Sequence, residues 1–382
     1  MKPQTIKNVN IATPNEAFFG NVTFVDGKIT QVEKISKEIK KGSKFLLPGF
    51  FDSHTHGGYG YGFEQLADRK DDALLAEYIK KIHQEGITSI LATTITQTVE
   101  HMNLVVDGLN HHQYPEILGW HMEGPYISVA KKGAHEAGLI TTIDMKTLQP
   151  LLNKYPNKIK LMTIAPEFKE NIEAIKILSK EPQTFVNIGH SNGSYQDAMK
   201  ALNAGAIRYT HLYNGMSGYM HRNPGLVNAA LGEPIGWVEL IADNVHVDND
   251  VTMNTFKICG SDRIVLISDN LLTKGLPEGD YMLGNLPIEK RKQHCYLKGQ
   301  GTLAGSAMEF QLIAKNLKLA TDCTWPEFVK MTSYNAACSF GIQDEIGDIK
   351  RNMVANFVII DENINICKTY VNGQEVYNKE VQ

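Results

Sequence analysis

The pattern of apolar and polar positions divides the chain into two β-rich ends and a long middle section. Near the amino end, Asp26 and Gly27 stand between two apolar runs, which predicts a β-hairpin. The segment near the other end, GDIKRNMVANFVIIDENINICKTYVNGQEVY, alternates β-branched residues with Asp, Asn and Gly and also predicts short strands. Because each end is too short to fold alone, we expect the two to pair into one small β domain.

The middle section alternates buried-type strands with amphipathic helices. One helix is predicted from apolar residues at three- and four-residue spacing between Leu74 and Ile82, and it should end at Gly86. The segment SYQDAMKALNAG predicts another, which begins after a serine cap and stops at glycine. Eight apolar stretches predict the strands, and these are residues 45–54, 87–93, 117–123, 159–165, 184–190, 206–212, 237–244 and 263–270.

Eight alternating strand and helix units are what a (β/α)8, TIM-type barrel requires. The sequence therefore predicts an α/β fold in which residues 48–346 form the barrel. Residues 1–47 and 347–382 are predicted to form a small β-sandwich domain beside it. Counting strands leaves a doubly wound open sheet as the structural alternative.

Composition and charge exclude several classes of protein. Hydrophobic residues make up 42% and charged residues 21% of the 382 residues, as in an ordinary globular protein. The formal net charge of −4 gives no reason to expect a nucleic-acid partner. The sequence has no apolar signal core and no apolar stretch of membrane-spanning length, and its five cysteines are scattered without a CxxC pair. We therefore expect a cytoplasmic protein with free thiols and no membrane partner.

Imidazoles and carboxylates stand at the ends of five predicted strands. They are His54 and His56 on the first strand, Glu123 on the third, His190 on the fifth, His211 on the sixth and Asp269 on the eighth. A lone histidine is more often a core residue than a metal ligand. In a barrel, however, the carboxyl ends of all strands meet at one face, so these side chains should converge. Imidazole and carboxylate are ligands that suit zinc and similar divalent ions, and the sequence predicts such a metal centre.

The predicted chemistry follows from that ion. A divalent metal lowers the pKa of a bound water from about 15.7 toward about 7 and polarises a carbonyl, so the expected reaction is hydrolysis of an amide or ester. One carboxylate must take a proton from the water and later give it to the leaving amine. Asp269 is the predicted catalytic residue, because the histidines and Glu123 are better used as ligands.

Several segments of the chain resemble the amidohydrolase superfamily and, within it, the deacetylases of N-acetylglucosamine 6-phosphate. The matching segments run in order over nearly the whole sequence. They are LPGFFDSHTHG, GWHMEGPYISVAKKGAHEAGLI, GHSNGSYQDAMKALNAGA, THLYNGMSGYMHRNPGLVNAAL, IADNVHVD, LISDN, GTLAGSAMEF and GDIKRNMVANFVIID. The resemblance implies removal of an acetyl group from a phosphorylated amino sugar.

The resemblance also implies roles at the metal centre. The residues that match the main ligands of the family are Glu123, His190 and His211. The pair His54 and His56 matches ligands of a second ion, which only some members hold, so one or two ions per subunit are expected. The imidazole and carboxylate ligands favour zinc, with iron or another divalent ion as the alternative. The resemblance places the catalytic acid and base at Asp269.

For the substrate, the resemblance implies contacts at both ends of the sugar. His135 matches a histidine near the acetyl carbonyl, and His246 matches one on the sugar or its phosphate. Asn214 and Gly215 match the phosphate loop. Arg222 matches an arginine that, in the family, reaches across a dimer to the phosphate of the substrate bound in the neighbouring subunit. A homodimer is therefore expected.

The sequence departs from the family pattern at three places. NGM, SDN and IADN stand where NAM, TDA and IADG are usual, and none of these changes removes a functional group.

The galacto epimer of the substrate remains an alternative. A cyclic-amide hydrolase is less favoured, because LMTIAPE at the fourth strand offers no lysine to bridge two ions. A scaffold without metal is disfavoured because every ligand position is filled.

Overall fold

The centre of the molecule is a parallel sheet whose neighbouring strands follow the order of the chain. The computed structural model describes residues 2–67, 72–181 and 184–381. The eight strands are Phe50–Thr55, Ile87–Thr94, Ile117–Glu123, Ile159–Ile164, Phe185–Ile188, Arg208–Tyr209, Trp237–Leu240 and Ile264–Leu266. Each overlaps one of the eight predicted stretches, and the first two extend one residue beyond theirs. We refer to them as the first to eighth barrel strands.

Hydrogen bonds join the first and eighth strands and close the sheet. The backbone N–H of Asp269 donates to the carbonyl of His54 (2.9 Å), and the N–H of His56 donates to the carbonyl of Asn270 (2.7 Å). This seam makes the sheet a barrel and confirms the predicted fold class over the open-sheet alternative.

Helices surround the barrel, and both helices predicted from the sequence are confirmed. The first buries Tyr78 and Ile82 and ends before Gly86, while Ser194 caps another helix that stops at the left-handed Gly205. The helices are Asp72–Gln84, Val99–His111, Met145–Lys154, Lys169–Leu178, Tyr195–Ala204, Leu226–Gly232, Asn249–Cys259, Phe310–Thr321, Trp325–Val329 and Asn335–Ser339. Short 3-10 segments occupy 63–67, 129–131, 137–139 and 379–381, and a π turn occupies 330–334. No helix among the described residues combines the length and apolar content needed to cross a membrane.

Both ends of the chain build one seven-stranded sheet beside the barrel, as the predicted fold class requires. Its strands, in spatial order, are Gln374–Asn378, Ile366–Val371, Phe357–Ile360, Phe45–Pro48, Gln4–Ala12, Ala17–Val25 and Lys28–Ser36. The predicted hairpin turn at Asp26 and Gly27 is confirmed, since both residues have positive φ between two paired strands. The division into residues 1–47, 48–346 and 347–382 stays a prediction, and the end residues Met1 and Gln382 lie outside the described part.

One predicted strand proved to be two. Residues 45–54 were expected to form a single strand, but the chain changes sheets at Gly49. The segment Phe45–Pro48 joins the terminal sheet, and Phe50 begins the barrel. A β-carbon at Gly49 would lie 2.2 Å from the Thr88 side chain, so the crossing between the two sheets needs glycine.

A four-stranded antiparallel sheet follows the eighth barrel strand and was not predicted from the sequence. Its strands are Gly279–Leu283, Leu286–Arg291, His294–Leu297 and Leu303–Ser306. Tight turns at 284–285 and 292–293 connect the first three strands. We call residues 279–306 the inserted sheet. A two-stranded pair, Gly57–Gly58 with Tyr61–Gly62, completes the β structure.

Candidate metal centre and substrate cavity

The side chains expected to converge at one end of the barrel do so. Their ligand atoms form two groups, and within each group all the atoms lie within 4.8 Å of one another. The first group is His54, His56, Glu123 and Asp269, and the second is Glu123, His190 and His211. Glu123 belongs to both groups. Geometry therefore brings together all six residues, while their individual roles stay predictions.

In the first group, two imidazoles face two carboxylates. The Nε2 atom of His54 lies 3.4 Å from Glu123 Oε1 and 3.4 Å from Asp269 Oδ1. The Nε2 atom of His56 lies 3.1 Å from Glu123 Oε2 and 3.2 Å from Asp269 Oδ1. His54 and His56 reach the same point because residues two apart on a strand share a face.

In the second group, two histidines present lone pairs to each other. Their Nδ1 atoms donate to backbone carbonyls, that of His190 to Lys131 (2.8 Å) and that of His211 to Asn214 (3.1 Å). Neutral rings in these tautomers carry no proton on Nε2. Yet the two Nε2 atoms lie 3.0 Å apart, and both lie within 3.2 Å of Glu123 Oε1. Lone pairs and a carboxylate at this distance repel unless a cation lies between them.

The donor set fits a divalent metal ion. The Nε2 atom of His54 is buried and has no hydrogen-bond partner among the described residues, although it faces two carboxylates. Burial raises the pKa of Glu123, but the surrounding imidazoles outweigh burial and hold that pKa well below its usual value. An ionised, buried carboxylate among imidazole nitrogens is the environment that zinc and similar ions bind.

The backbone is strained at three of these residues. His190, His211 and Asp269 have φ values of +44°, +26° and +52°, in the left-handed region that residues other than glycine rarely adopt. Such strain is characteristic of functional sites, where the surrounding structure holds the backbone in place. At each position the chain leaves its strand and turns the side chain into the barrel mouth.

A second layer of charged side chains lies beneath the ligands, and sequence reasoning missed it. Glu239 on the seventh strand accepts a hydrogen bond from His54 Nδ1 (3.1 Å) and one from Arg208 Nη1 (3.2 Å). Both charged side chains are fully buried. The available signal was a charge inside each of the apolar runs AIRYTHL and WVELIADN, because a buried charge is costly without a partner.

A cavity of about 500 Å³ opens over the metal centre. It contains Asp269 and four of the five residues expected to bind substrate, namely His135, Asn214, Gly215 and His246. Leu283, Leu297 and Leu303 of the inserted sheet form part of its wall. The inserted sheet therefore shapes the cavity, a role that the sequence did not indicate.

His135 is arranged as a neutral hydrogen-bond donor. Its Nδ1 accepts from the backbone N–H of Thr96 (3.1 Å), so its proton lies on Nε2, which is 3.6 Å from Glu123 Oε2. Burial lowers the pKa of His135 to about 4, so the ring is uncharged at neutral pH. A donor beside the metal ligands can polarise a substrate carbonyl.

His246 is held in the lining of the cavity by a carboxylate. Its Nδ1 lies 2.7 Å from Asp243 Oδ2, and His294 Nε2 of the inserted sheet lies 3.4 Å from the same oxygen. Burial lowers the pKa of His246, but Asp243 outweighs burial and raises it above the ordinary value. A raised pKa favours the protonated, positively charged form of the ring, which suits an anionic group of a substrate. Asp243 and His294 were also missed from the sequence.

Arg222 does not line this cavity. It is exposed and lies in a neighbouring depression together with Asn192, Tyr195 and Ser217. Lys131 lines both spaces. The structure thus does not place Arg222 in this cavity, and its contact with the site of a neighbouring subunit stays a prediction.

Comparison with known proteins gives consistent matches along the chain. The amidohydrolase family model matches residues 45–376. The N-acetylglucosamine-6-phosphate deacetylase of Bacillus subtilis (strain 168) is 34% identical, and the match covers 96% of both chains. The N-acetylgalactosamine-6-phosphate deacetylase of Escherichia coli O157:H7 is 31% identical, over 91% of this chain and 92% of that one.

A solved structure matches the whole fold. The crystal structure of N-acetylglucosamine-6-phosphate deacetylase from Thermotoga maritima superposes with a TM-score of 0.90 at 31% identity. The superposition covers 98% of this chain and 100% of that one. The similarity therefore extends over both the barrel and the sheet built from the chain ends.

Proposed function

Because this chain belongs to the amidohydrolase family, we propose that it hydrolyses the N-acetyl group of N-acetylglucosamine 6-phosphate, giving glucosamine 6-phosphate and acetate. The observation that carries the proposal is the pair of ligand groups joined by Glu123 beneath a cavity that also contains Asp269, His135 and His246. The arrangement supplies ligands, a proton carrier and two further polar groups in one cavity.

The side chains divide the chemistry among them. A divalent ion held by these ligands would supply Lewis acidity, which lowers the pKa of a bound water and polarises a carbonyl. Asp269 takes the proton from the attacking water and gives it to the sugar nitrogen as the amide bond breaks. His135 donates from Nε2 to the oxygen that develops negative charge. The ligands would be His54, His56, Glu123, His190 and His211.

The ion is proposed to be zinc, at one or two sites per subunit. The imidazole-rich donor set supports zinc, and the two ligand groups support a pair of ions. Glu123, as the residue common to both groups, would help to hold an ion in either of them. The fourth strand offers no lysine to this cluster, which weighs against the cyclic-amide alternative.

The phosphate is proposed to bind between two subunits of a homodimer. His246, Asn214 and Gly215 belong to the cavity, and Gly215 has the positive φ that favours glycine. Arg222 would enter the cavity of the neighbouring subunit. The exposed Tyr219 and Met220 beside it supply apolar surface for that contact.

Arg222→Ala should raise KM for the phosphorylated sugar by about 10- to 100-fold and change kcat little, because a charged hydrogen bond to phosphate contributes about 1.5–3 kcal/mol. Steady-state kinetics on sugars with and without phosphate measure the effect. Arg291→Ala, on an exposed arginine paired with Glu289, is the matched control and should behave as wild type. An equal effect of Arg222→Ala on both sugars would contradict the assignment.

The proposed function is tested by acetate release from N-acetylglucosamine 6-phosphate, with protein whose metal content has been assayed. The same sugar without phosphate and the galacto epimer with phosphate serve as comparisons. We expect rapid release from the phosphorylated gluco sugar and little from the unphosphorylated one. Faster release from the galacto epimer would move the substrate to the alternative that the Escherichia coli relative represents. No release from any of the three would overturn the proposal.

A further inference from the structure

Glu239 contacts both halves of the metal centre from below. Its Oε2 atom accepts from the Nδ1 of His54 (3.1 Å) and from the backbone N–H of His211 (3.2 Å). His54 belongs to the first ligand group, and His211 belongs to the second. One carboxylate oxygen therefore fixes a ligand ring in one group and the backbone of a ligand in the other.

The other oxygen anchors Glu239 to the barrel interior. Its Oε1 atom accepts from Asn187 Nδ2 (2.7 Å) and Arg208 Nη1 (3.2 Å). The guanidinium of Arg208 also donates to the Ser53 hydroxyl (2.8 Å) and lies over the ring of Phe340, 4.4 Å from its centroid. Glu239 and Arg208 are fully buried, so neither side chain is free to move.

We propose that Glu239 is a positioning residue of the metal centre, which holds His54 in the tautomer whose Nε2 lone pair faces the ion. The inference rests on the proposed metal-dependent function and names a residue that the ligand set does not include. An ionised carboxylate can only accept, so the proton of a neutral His54 must lie on Nδ1. A carboxylate behind a ligating histidine fixes the ring orientation and makes the ring more basic toward metal.

The structure indicates why a neutral substitute would fail. At position 239, glutamine would keep its amide oxygen toward Asn187 Nδ2 and Arg208 Nη1, which can only donate. Its NH2 group would then face His54 Nδ1 and donate to it, and the backbone N–H of His211 would lose its acceptor. That hydrogen bond would select the opposite tautomer and place a proton on Nε2, between His54 and the carboxylates of Glu123 and Asp269. The ring would keep its place in the fold and lose its function as a ligand.

The test compares Zn²⁺ affinity by competition with a chelator, together with the visible spectrum of the Co²⁺ form. Glu239→Gln should weaken the binding of Zn²⁺ by about 10- to 100-fold and change the Co²⁺ spectrum, because loss of such partners has this effect on metal sites. Glu85→Gln is the matched control. Glu85 pairs with the buried Lys274 at 2.7 Å, so this variant leaves a buried cation without its carboxylate, as Glu239→Gln does with Arg208. Glu85, however, lies outside the metal centre. Its metal affinity should equal that of wild type.

Two further measurements keep the outcome decisive. If Glu239→Gln does not fold, the double variant Arg208→Met with Glu239→Gln removes the unpaired charge and should show the same loss of affinity. Neutron diffraction from metal-loaded wild-type crystals should place a deuteron on His54 Nδ1 and none on Nε2. A deuteron on Nε2, or wild-type metal affinity in a folded variant, would overturn the proposal. None of these measurements uses the sugar substrate, so they are independent of which substrate the enzyme takes.

Discussion

Asp269→Asn is expected to lower kcat by about a thousandfold while the protein retains its metal, because a positioned acid and base contributes about 10²- to 10⁴-fold to a rate. The Oδ1 atom of Asp269 lies 3.2 Å from His56 Nε2 and 3.4 Å from His54 Nε2, so the carboxylate stands beside the place where these ligands would hold the ion. From there it can accept a proton from the attacking water. Asparagine has nearly the same shape but cannot carry a proton to the leaving nitrogen.

The measurement is kcat for acetate release together with the metal content of the same sample. Asp262→Asn is the control at the opposite end of the same strand, where an exposed aspartate pairs with Lys330 at 2.7 Å. It should leave kcat unchanged. Near-normal turnover of Asp269→Asn with full metal content would assign proton transfer to another group.

Glu123→Gln is expected to lower metal affinity by more than about 100-fold. Loss of a residue that only hydrogen-bonds to a metal ligand already lowers affinity by about 10- to 100-fold, and Glu123 is proposed to be a ligand itself. Glu123 is the residue shared by the two ligand groups, and its two oxygens face different histidines. Its replacement by a neutral amide removes the negative charge that stabilises a cation in either group. Activity should fall with the bound metal, and added Zn²⁺ should restore it only in part.

Metal content after dialysis and titration with Zn²⁺ measure this loss. Glu116→Gln is the control, because Glu116 precedes the same strand and is a buried carboxylate bonded to a histidine, His83, at 2.8 Å. That variant measures how far metal content changes when a buried carboxylate outside the metal centre is replaced. It should keep its metal. Retention of wild-type metal content by Glu123→Gln would show that the histidines alone hold the ion.

Most of the barrel was predictable because its strands are short apolar runs separated by helices with clear start and stop signals. Ser194 and Gly205 mark one helix at both ends, and the structure has that helix where the pattern places it. The break at Gly49 was not predictable in the same way. Apolar character continues across it, and only the tertiary contact with Thr88 shows that the chain changes sheets there.

The part of the candidate site that could be predicted consists of residues at the carboxyl ends of barrel strands, because these ends meet at one face. That rule brought together His54, Glu123 and Asp269 from distant parts of the sequence. It gives no information on side chains in the barrel interior, so Glu239 and Arg208 were missed. The inserted sheet was missed for another reason. Its strands are short and partly exposed, and their alternating pattern carries little apolar signal.

The seam of the barrel has a consequence for how the protein acquires its ion during synthesis. Asp52 accepts a hydrogen bond from Ser268, a residue 216 positions later, and Asp269 joins the centre from the same late segment. A nascent chain that has not yet extended past the eighth strand lacks both the closing contacts and a complete first ligand group. Contacts between residues so far apart in the sequence carry a high loop-closure entropy, which slows folding. The first ligand group is therefore complete only when the segment that contains Asp269 has been synthesised, whereas the second group is already complete at His211.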